Sequence, residues 1–429
     1  MTACRVSSIF FPLRATLPPR HRMHHHQLAH IPRPYTAHHA KVALKCIPND
    51  LALQFYRDSS CPSQGWLDTI LPVLRRENET FTFVNVGCNK GFAVASMAHR
   101  FGKPLNSSEW FLALIDYERK RSGRAPRGSH LGEMCGSCCA CLEVPSMVMP
   151  PVGHEKAPLA VHAIEFAPAN ARWLKHAFAA FQLPAKLHHA GASNTSGMVM
   201  VSAKEGPLGY EAEVLDEDKA IRPNETNTVP LPLIALDDLA VTQSLSHMEF
   251  VSIDTEGHDS LVLEGMRGLL REKRVGLFEF EYSAAGKWDP KEPDSRRLRD
   301  TLSWVQSVGY DCYWESFTGC LAFASPPCWN DAYGSGSWSN LVCTQRHSRA
   351  GAALAAYASD CAYRLNSTQT LKNTSITVRV DARSRQILGS TLHPAVGRRC
   401  GVWGQHGRGY KVHVQWHDRG YVKDALHDV

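Results

Sequence analysis

From residue 81 onward the chain alternates short apolar runs with amphipathic stretches, and several of the apolar runs end in glycine or an acid. "FTFVNV" is long enough and apolar enough for a buried strand, and the pattern from Gly91 to Phe101 after it is helical. "LAVHAIEF", Leu159 to Phe166, predicts a second strand. Pro168 then takes a favoured first-turn position in a helix with Leu174, Phe178 and Phe181 on one side. "FVSIDTEG" predicts a third strand over Phe250 to Ile253, ending in acids. Leu261, Val262, Gly265, Leu269 and Leu270 follow at the spacing of one helix. "VGLFEFEY" reads as a further strand. "RRLRDTLSWVQSVGY" reads as a helix with Leu298, Leu302 and Val305 on a shared face, and "YDCYWES" and "NLVCTQR" as closing strands.

Strands alternating with helices predict an α/β fold, a doubly wound and mostly parallel sheet with helices on both faces. Residues 102–158, rich in Gly, Pro, Arg and Cys, read as an insertion. Residues 204–228, polar and acidic, read as an exposed loop or hairpin extension. Beyond about residue 350, "ITVRVDARSRQILG" and "YKVHVQWHDRGYV" alternate with period two, which predicts a small β-rich appendage. The expected organisation is an arm over 1–49, a main domain over 50–348 carrying both insertions, and a linker with its appendage over 349–429.

Charge changes this picture only at the front. The net charge is +6, and seven Lys or Arg and a His-rich stretch precede the first acid, Asp50. A basic, acid-free, Pro-containing start reads as a disordered or targeting arm and is similar to organelle transit peptides. Six Asn-x-Ser/Thr sequons (Asn78, Asn106, Asn194, Asn224, Asn366, Asn373) and 14 cysteines point instead to the secretory route. Both compartments stay open at this stage. No apolar run reaches the roughly 18 residues that span a bilayer, so no transmembrane segment is expected.

Cys135, Cys138, Cys139 and Cys141 crowd into "CGSCCACLE". Metal sites usually draw pairs from separated segments, so disulfides or unpaired thiols fit better and no metal ligands are assigned. Cys312, Cys320, Cys328 and Cys343 could form one or two bridges in an oxidising lumen. "GRRCGVWGQHGRGYK" mixes basic and aromatic residues, but it is too short and too weakly charged to imply a nucleic-acid partner.

Ligands of doubly wound sheets bind at the carboxyl ends of the strands. Gly87 and Gly91, leaving the first strand, let backbone approach a ligand without a Cβ in the way. Alone, such a pair is equally a tight turn. Glu165, ending the second strand, adds a carboxylate able to accept both ribose hydroxyls of an adenosine. The spacing lacks the G-x-G-x-x-G of a pyrophosphate loop, so S-adenosyl-L-methionine fits better than NAD.

"LPLIALDDLA", "MEFVSIDTEGHDSLVLEGMRGLL" and "LFEFEY" together resemble the FkbM family of S-adenosylmethionine-dependent methyltransferases. "VNVGCNKG", "AIEFAPANARWL", "AGASNTSG" and "SNLVC" are similar to further motifs of that family, so the resemblance spans roughly residues 81–346. It implies a Rossmann-like methyltransferase fold. It also implies S-adenosyl-L-methionine held by Asn85, Gly87, Asn89, Gly91 and Glu165, and O-methylation of a sugar, glycan or small metabolite. Two positions depart from the pattern: Asn85 stands where many relatives carry Asp, and Asp259 where Glu is commoner. The Cys-rich insertion has no counterpart.

A hydroxyl acceptor needs its proton removed by a carboxylate or His within hydrogen-bond reach. Asp254, Glu256 and His258 gather at a strand's carboxyl end, where such a base belongs. In extended backbone, alternate positions share a face, so Asp254 and Glu256 could act together. The competing reading makes Asp254 a helix cap, Glu256 a structural acceptor and His258 an exposed first-turn residue. Two other functions stay in view: N-methylation of an amine, which needs no strong base, and a catalytically silent scaffold that keeps the fold. No residue identifies the acceptor or the oligomeric state.

Overall fold

The computed structural model describes residues 46, 62 and 64–74, residues 79–124 apart from 104 and 106, residue 134, residues 158–202, residues 228–367 apart from 284, 293, 317, 318, 336 and 337, and four strands between 375 and 425. The basic arm (except Cys46), the cysteines at 135–141 and the acidic stretch up to residue 227 lie outside it.

The main sheet has eight strands in the order β10-β9-β11-β8-β7-β1-β2-β3. Its parallel part comprises β1 (Phe81–Val86), β2 (Leu159–Glu165), β3 (Ala185–His189), β7 (Met248–Ile253) and β8 (Val275–Tyr282). β11 (Ser339–Gln345) runs antiparallel between β8 and β9 (Tyr310–Glu315), and β10 (Leu321–Phe323) closes the edge. Strand β1 sits where the chain's winding reverses, between β2 and β7, which puts a ligand crevice at its carboxyl end.

Both sheet faces are buried, which is why the strands read as apolar runs rather than alternations. Phe81 and Phe83 of β1 join one core cluster, Val84 and Val86 the other. Phe83 stacks on Phe250 of β7 at 5.2 Å, and each large side chain buried this way contributes roughly 1.5–3 kcal/mol. The first face is covered by α1 (Gly65–Leu74), α2 (Phe92–Arg100), α3 (Ser107–Ser122) and α4 (Pro168–Ala180). The second is covered by α5 (Leu236–Thr242), α6 (Asp259–Glu264), α7 (Arg267–Arg271) and α8 (Leu298–Ser307). The doubly wound α/β fold is therefore as expected from the strand–helix alternation.

Several details differ from that expectation. Residues 102–158 are not insertion throughout: α3 buries Trp110, Leu114 and Glu118 along one side, with Trp110 and Leu114 in the first core cluster. The single helix expected after β7 is two, because the chain turns at Gly265. A Cβ on Gly265 would lie 2.1 Å from the Ser193 carbonyl oxygen, so only glycine allows that approach. The segment expected to be linker from residue 349 is α9 (Arg349–Ser367), which buries Ala350, Leu354 and Ala358 in the same cluster as α1. Beyond it, β12 (Ser375–Asp381), β13 (Ile387–His393), β14 (His413–Asp418) and β15 (Tyr421–Ala425) form their own four-stranded sheet, as the period-two pattern predicts.

A third sheet joins β4 (Gly191–Ala192), β5 (Gly197–Ser202) and β6 (Thr228–Ile234), with β5 and β6 antiparallel on either side of the acidic stretch. Two disulfides lie among the described residues. Cys312 and Cys343 face each other across β9 and β11, while Cys328 pairs with Cys46 rather than with another of the four cysteines grouped by sequence.

Candidate functional site

The loop from Gly87 to Gly91 leaves β1 with positive φ at Gly87, Asn89 and Gly91. Its two glycines serve the protein before any ligand. A Cβ on Gly87 would fall 1.7 Å from the Asp254 carbonyl oxygen, and one on Gly91 would meet Leu174 and Trp110 at 2.6 and 2.8 Å. The space that the sequence reading reserved for a ligand is taken by neighbouring protein. What the glycines allow is the packing of this loop against the end of β7, where the backbone N–H of Asp254 donates to the Val86 carbonyl at 2.9 Å.

Glu165 lies beside the same loop. Its Oε2 accepts the Asn89 N–H at 2.6 Å and its Oε1 the Ala167 N–H at 2.7 Å. Burial pushes its carboxyl up to about 7, against the lowering pull of those two donors. The Asn170 side chain also hydrogen-bonds to this carboxylate, which leaves it one acceptor position for a ribose hydroxyl. Asn85 is 3% exposed and its Oδ1 has no hydrogen-bond partner among the described residues. It sits level with Ser252 of β7, two residues before the Gly87 turn. An orphaned buried acceptor and a carboxylate with a spare acceptor position fit a donor that carries an ammonium group and a ribose.

The acids stand at the carboxyl ends of β7 and β8. Asp254 and Glu256 are exposed, Glu281 is buried, and one ligand oxygen of each lies within 4.8 Å of the others. The extended alternation invoked to pair Asp254 with Glu256 is not what joins them: Glu256 adopts φ +54° and Gly257 φ +100°, so a tight turn folds Glu256 back. Asp259, fully buried, secures that turn. Its Oδ1 accepts the Thr255 and Glu281 N–H groups at 3.4 and 3.3 Å, and its Oδ2 accepts the Gly257 N–H at 3.2 Å. One carboxylate thus spans both acid-bearing segments. Burial raises Asp259 to about 7. Burial, with Asp254, Glu256 and Asp259 close by, raises Glu281 well above the usual carboxylate range. Three hard oxygen ligands this close could also hold a divalent cation, an option the sequence reading had left unassigned.

His258 lies at the N-cap position of α6, half-buried, and its carbonyl accepts the Leu261 N–H at 2.9 Å. It stands outside the carboxylate triad. Asp237, from the Leu-Asp-Asp-Leu segment, caps α7 by accepting the Gly268 and Leu269 N–H groups at 2.9 Å each. Asp238 accepts the Ser196 hydroxyl, so the Ser-Asn turn after β4 is fastened to α5. Both aspartates are accounted for structurally.

Glu281 is the residue that the sequence reading missed. Its signal was present in "VGLFEFEY". Phe278 and Phe280 face one core cluster, which sends Glu279 and Glu281 to the opposite face of a strand otherwise buried. Glu279 accepts the Ser252 hydroxyl at 2.7 Å, and the Trp338 indole N–H donates to Glu281.

Residues 156–312 match the methyltransferase FkbM domain, a span that includes Glu165, the three clustered acids and Asp259 but begins after the glycine loop. Among solved structures, the crystal structure of precorrin-6y C5,15-methyltransferase from Geobacter metallireducens GS-15 is similar at 9% identity and a TM-score of 0.24, over 66% of this chain and 86% of that one. No curated protein matches the chain.

Proposed function

We propose, from the match of residues 156–312 to the methyltransferase FkbM domain, that this chain is a methyltransferase that uses S-adenosyl-L-methionine to O-methylate a hydroxyl of a sugar, glycan or other small metabolite. The observation that carries this reading is the contact between Gly87 and Asp254, which sets the loop proposed for the donor directly against the strand end proposed for the acceptor. When bound, S-adenosyl-L-methionine supplies an electrophilic methyl carbon on a sulfonium. Glu165 and the Asn89 backbone would hold the ribose end and Asn85 the amino-acid end.

At the other side of the transfer, Asp254 or Glu256 takes the acceptor's hydroxyl proton. Removing that proton would leave the acceptor oxygen able to take up the methyl group that the cofactor would supply. A positioned base of this kind contributes roughly 10²–10⁴-fold, and alignment supplies much of the remainder. Glu281, kept protonated by burial and its acidic neighbours, can donate a hydrogen bond to the acceptor or to the base.

A second reading is methylation of an amine: the exposed acids Asp254 and Glu256 would draw its cationic form to the site, and its neutral form carries its own attacking pair. The disulfides Cys46–Cys328 and Cys312–Cys343 support folding in an oxidising compartment. Calorimetry with S-adenosyl-L-methionine, followed by turnover on panels of hydroxyl and amine acceptors, tests both readings. Absence of cofactor binding by the wild-type chain would leave only the silent scaffold.

A further inference from the structure

Two tryptophan indoles converge on one carbonyl inside the glycine loop. Trp110 Nε1 donates to the Lys90 carbonyl at 2.7 Å and Trp173 Nε1 donates to the same oxygen at 2.9 Å. Both rings are fully buried and pack edge-to-face at 5.5 Å, and Trp110 also stacks on Phe181 at 5.3 Å. Trp110 comes from α3, in the stretch read as insertion and outside the span that matches the family domain.

The loop is therefore fastened from three directions. Asp254 fills the side-chain side of Gly87, Glu165 holds the Asn89 N–H, and the two indoles fix the Lys90 carbonyl. A carbonyl oxygen has two acceptor positions, and here each takes one indole. Turning the Lys90–Gly91 peptide away would strand both donors in an apolar core, at a cost comparable to other unmet buried hydrogen bonds. Gly91 must also stay as it is, because Trp110 occupies its open side.

We infer that Trp110 and Trp173 are positioning residues for donor binding: together they hold the loop, and with it the Asn89 N–H, in the orientation that Glu165 and the donor require. This rests on the cofactor assignment made above. It gives α3 a role in binding that the domain match does not contain.

Trp110→Phe and Trp173→Phe keep an aromatic ring in the core and delete the N–H together with part of the ring volume, a packing loss that Phe181→Leu controls for. Each should weaken S-adenosyl-L-methionine binding by roughly 2–5-fold. The double variant should lose more than the product of the two, about 30-fold or beyond, because the carbonyl then has neither donor. Phe181→Leu disturbs the same aromatic cluster without touching Lys90, so it should lower the melting temperature and leave affinity unchanged. Amide exchange across residues 87–91 reads the clamp without cofactor and should accelerate in the double variant but not in Phe181→Leu. Wild-type affinity and exchange in the double variant would overturn the inference, as would an equal loss of affinity in Phe181→Leu. If the wild-type chain binds no cofactor, the assignment of the donor fails, while the exchange measurement still decides whether the indoles hold the loop.

Discussion

The carbonyl oxygen of Asp254 lies where a side chain on Gly87 would begin, 1.7 Å from the ideal Cβ position. Two segments 167 residues apart, one leaving β1 and one leaving β7, touch through backbone alone. Gly87 also holds φ +74°, a conformation that costs any other residue roughly 1–2 kcal/mol. Gly87→Ala should therefore destabilise the fold as well as the site, by about 3 kcal/mol or more. Thermal melts of the variant check this; an unchanged melting temperature would mean that the two loops separate without cost.

Glu165 predicts a pH dependence. Burial raises its carboxyl to about 7 in the folded chain, above the ordinary value near 4.5. The folded state thus binds this proton more tightly than the unfolded state does. The stability it contributes is fully present below about pH 4.5 and is lost as pH rises to about 7. Glu165→Gln removes this slope, so the variant should gain on the wild type by roughly 1–3 kcal/mol between pH 5 and 8. Melting curves that stay parallel across that range would contradict the burial argument.

The disulfide between Cys312 and Cys343 closes a loop with a sequence separation of 31 residues across neighbouring strands. Replacing both by alanine should lower stability by roughly 2–4 kcal/mol, chiefly by freeing the unfolded chain. Denaturant titration of the variant beside the wild type measures this. An unchanged midpoint would indicate that the β9–β11 ladder alone determines that part of the sheet.

How much of this was legible beforehand follows from what each residue answers to. Strands β1, β7 and β8 announced themselves because burial on both faces leaves few polar interruptions. Glu165 and Asp254 were conspicuous because an acid at the end of such a run has no core role. Helix α3 was hidden because its buried side is only Ser107, Trp110, Leu114 and Glu118 amid charged residues that pair along the helix, such as Asp116 with Lys120. Helix α9 is rich in alanine, which carries little hydrophobic signal even where it is buried. The backbone approach of Gly87 to Asp254, and the place of Asp259 between two acid-bearing segments, depend on tertiary neighbours far away in the chain. No local pattern encodes them.

The last prediction separates the acceptor side of the site from the donor side. Glu165, Asn89 and Asn85 account for the donor's ends in the proposed arrangement, which leaves Asp254 and Glu256, exposed and beside the loop, for the acceptor. Asp254→Asn and Glu256→Gln keep shape and remove charge. If one of the two is the base, its replacement should lower turnover roughly 10²–10⁴-fold with donor affinity nearly unchanged. Glu281→Gln should be milder, because a buried carboxyl held in its neutral form loses less when it becomes an amide. The measurement is turnover beside cofactor affinity for each variant. Parallel loss of both quantities in Asp254→Asn would mean that this residue holds the donor or the loop. An amine acceptor would give a different pattern: a neutral amine already carries the attacking pair and needs no strong base, so the loss of turnover in either variant would fall well short of that range. Full activity in all three variants would place the base outside the triad, with His258, at the start of α6, next to be tested.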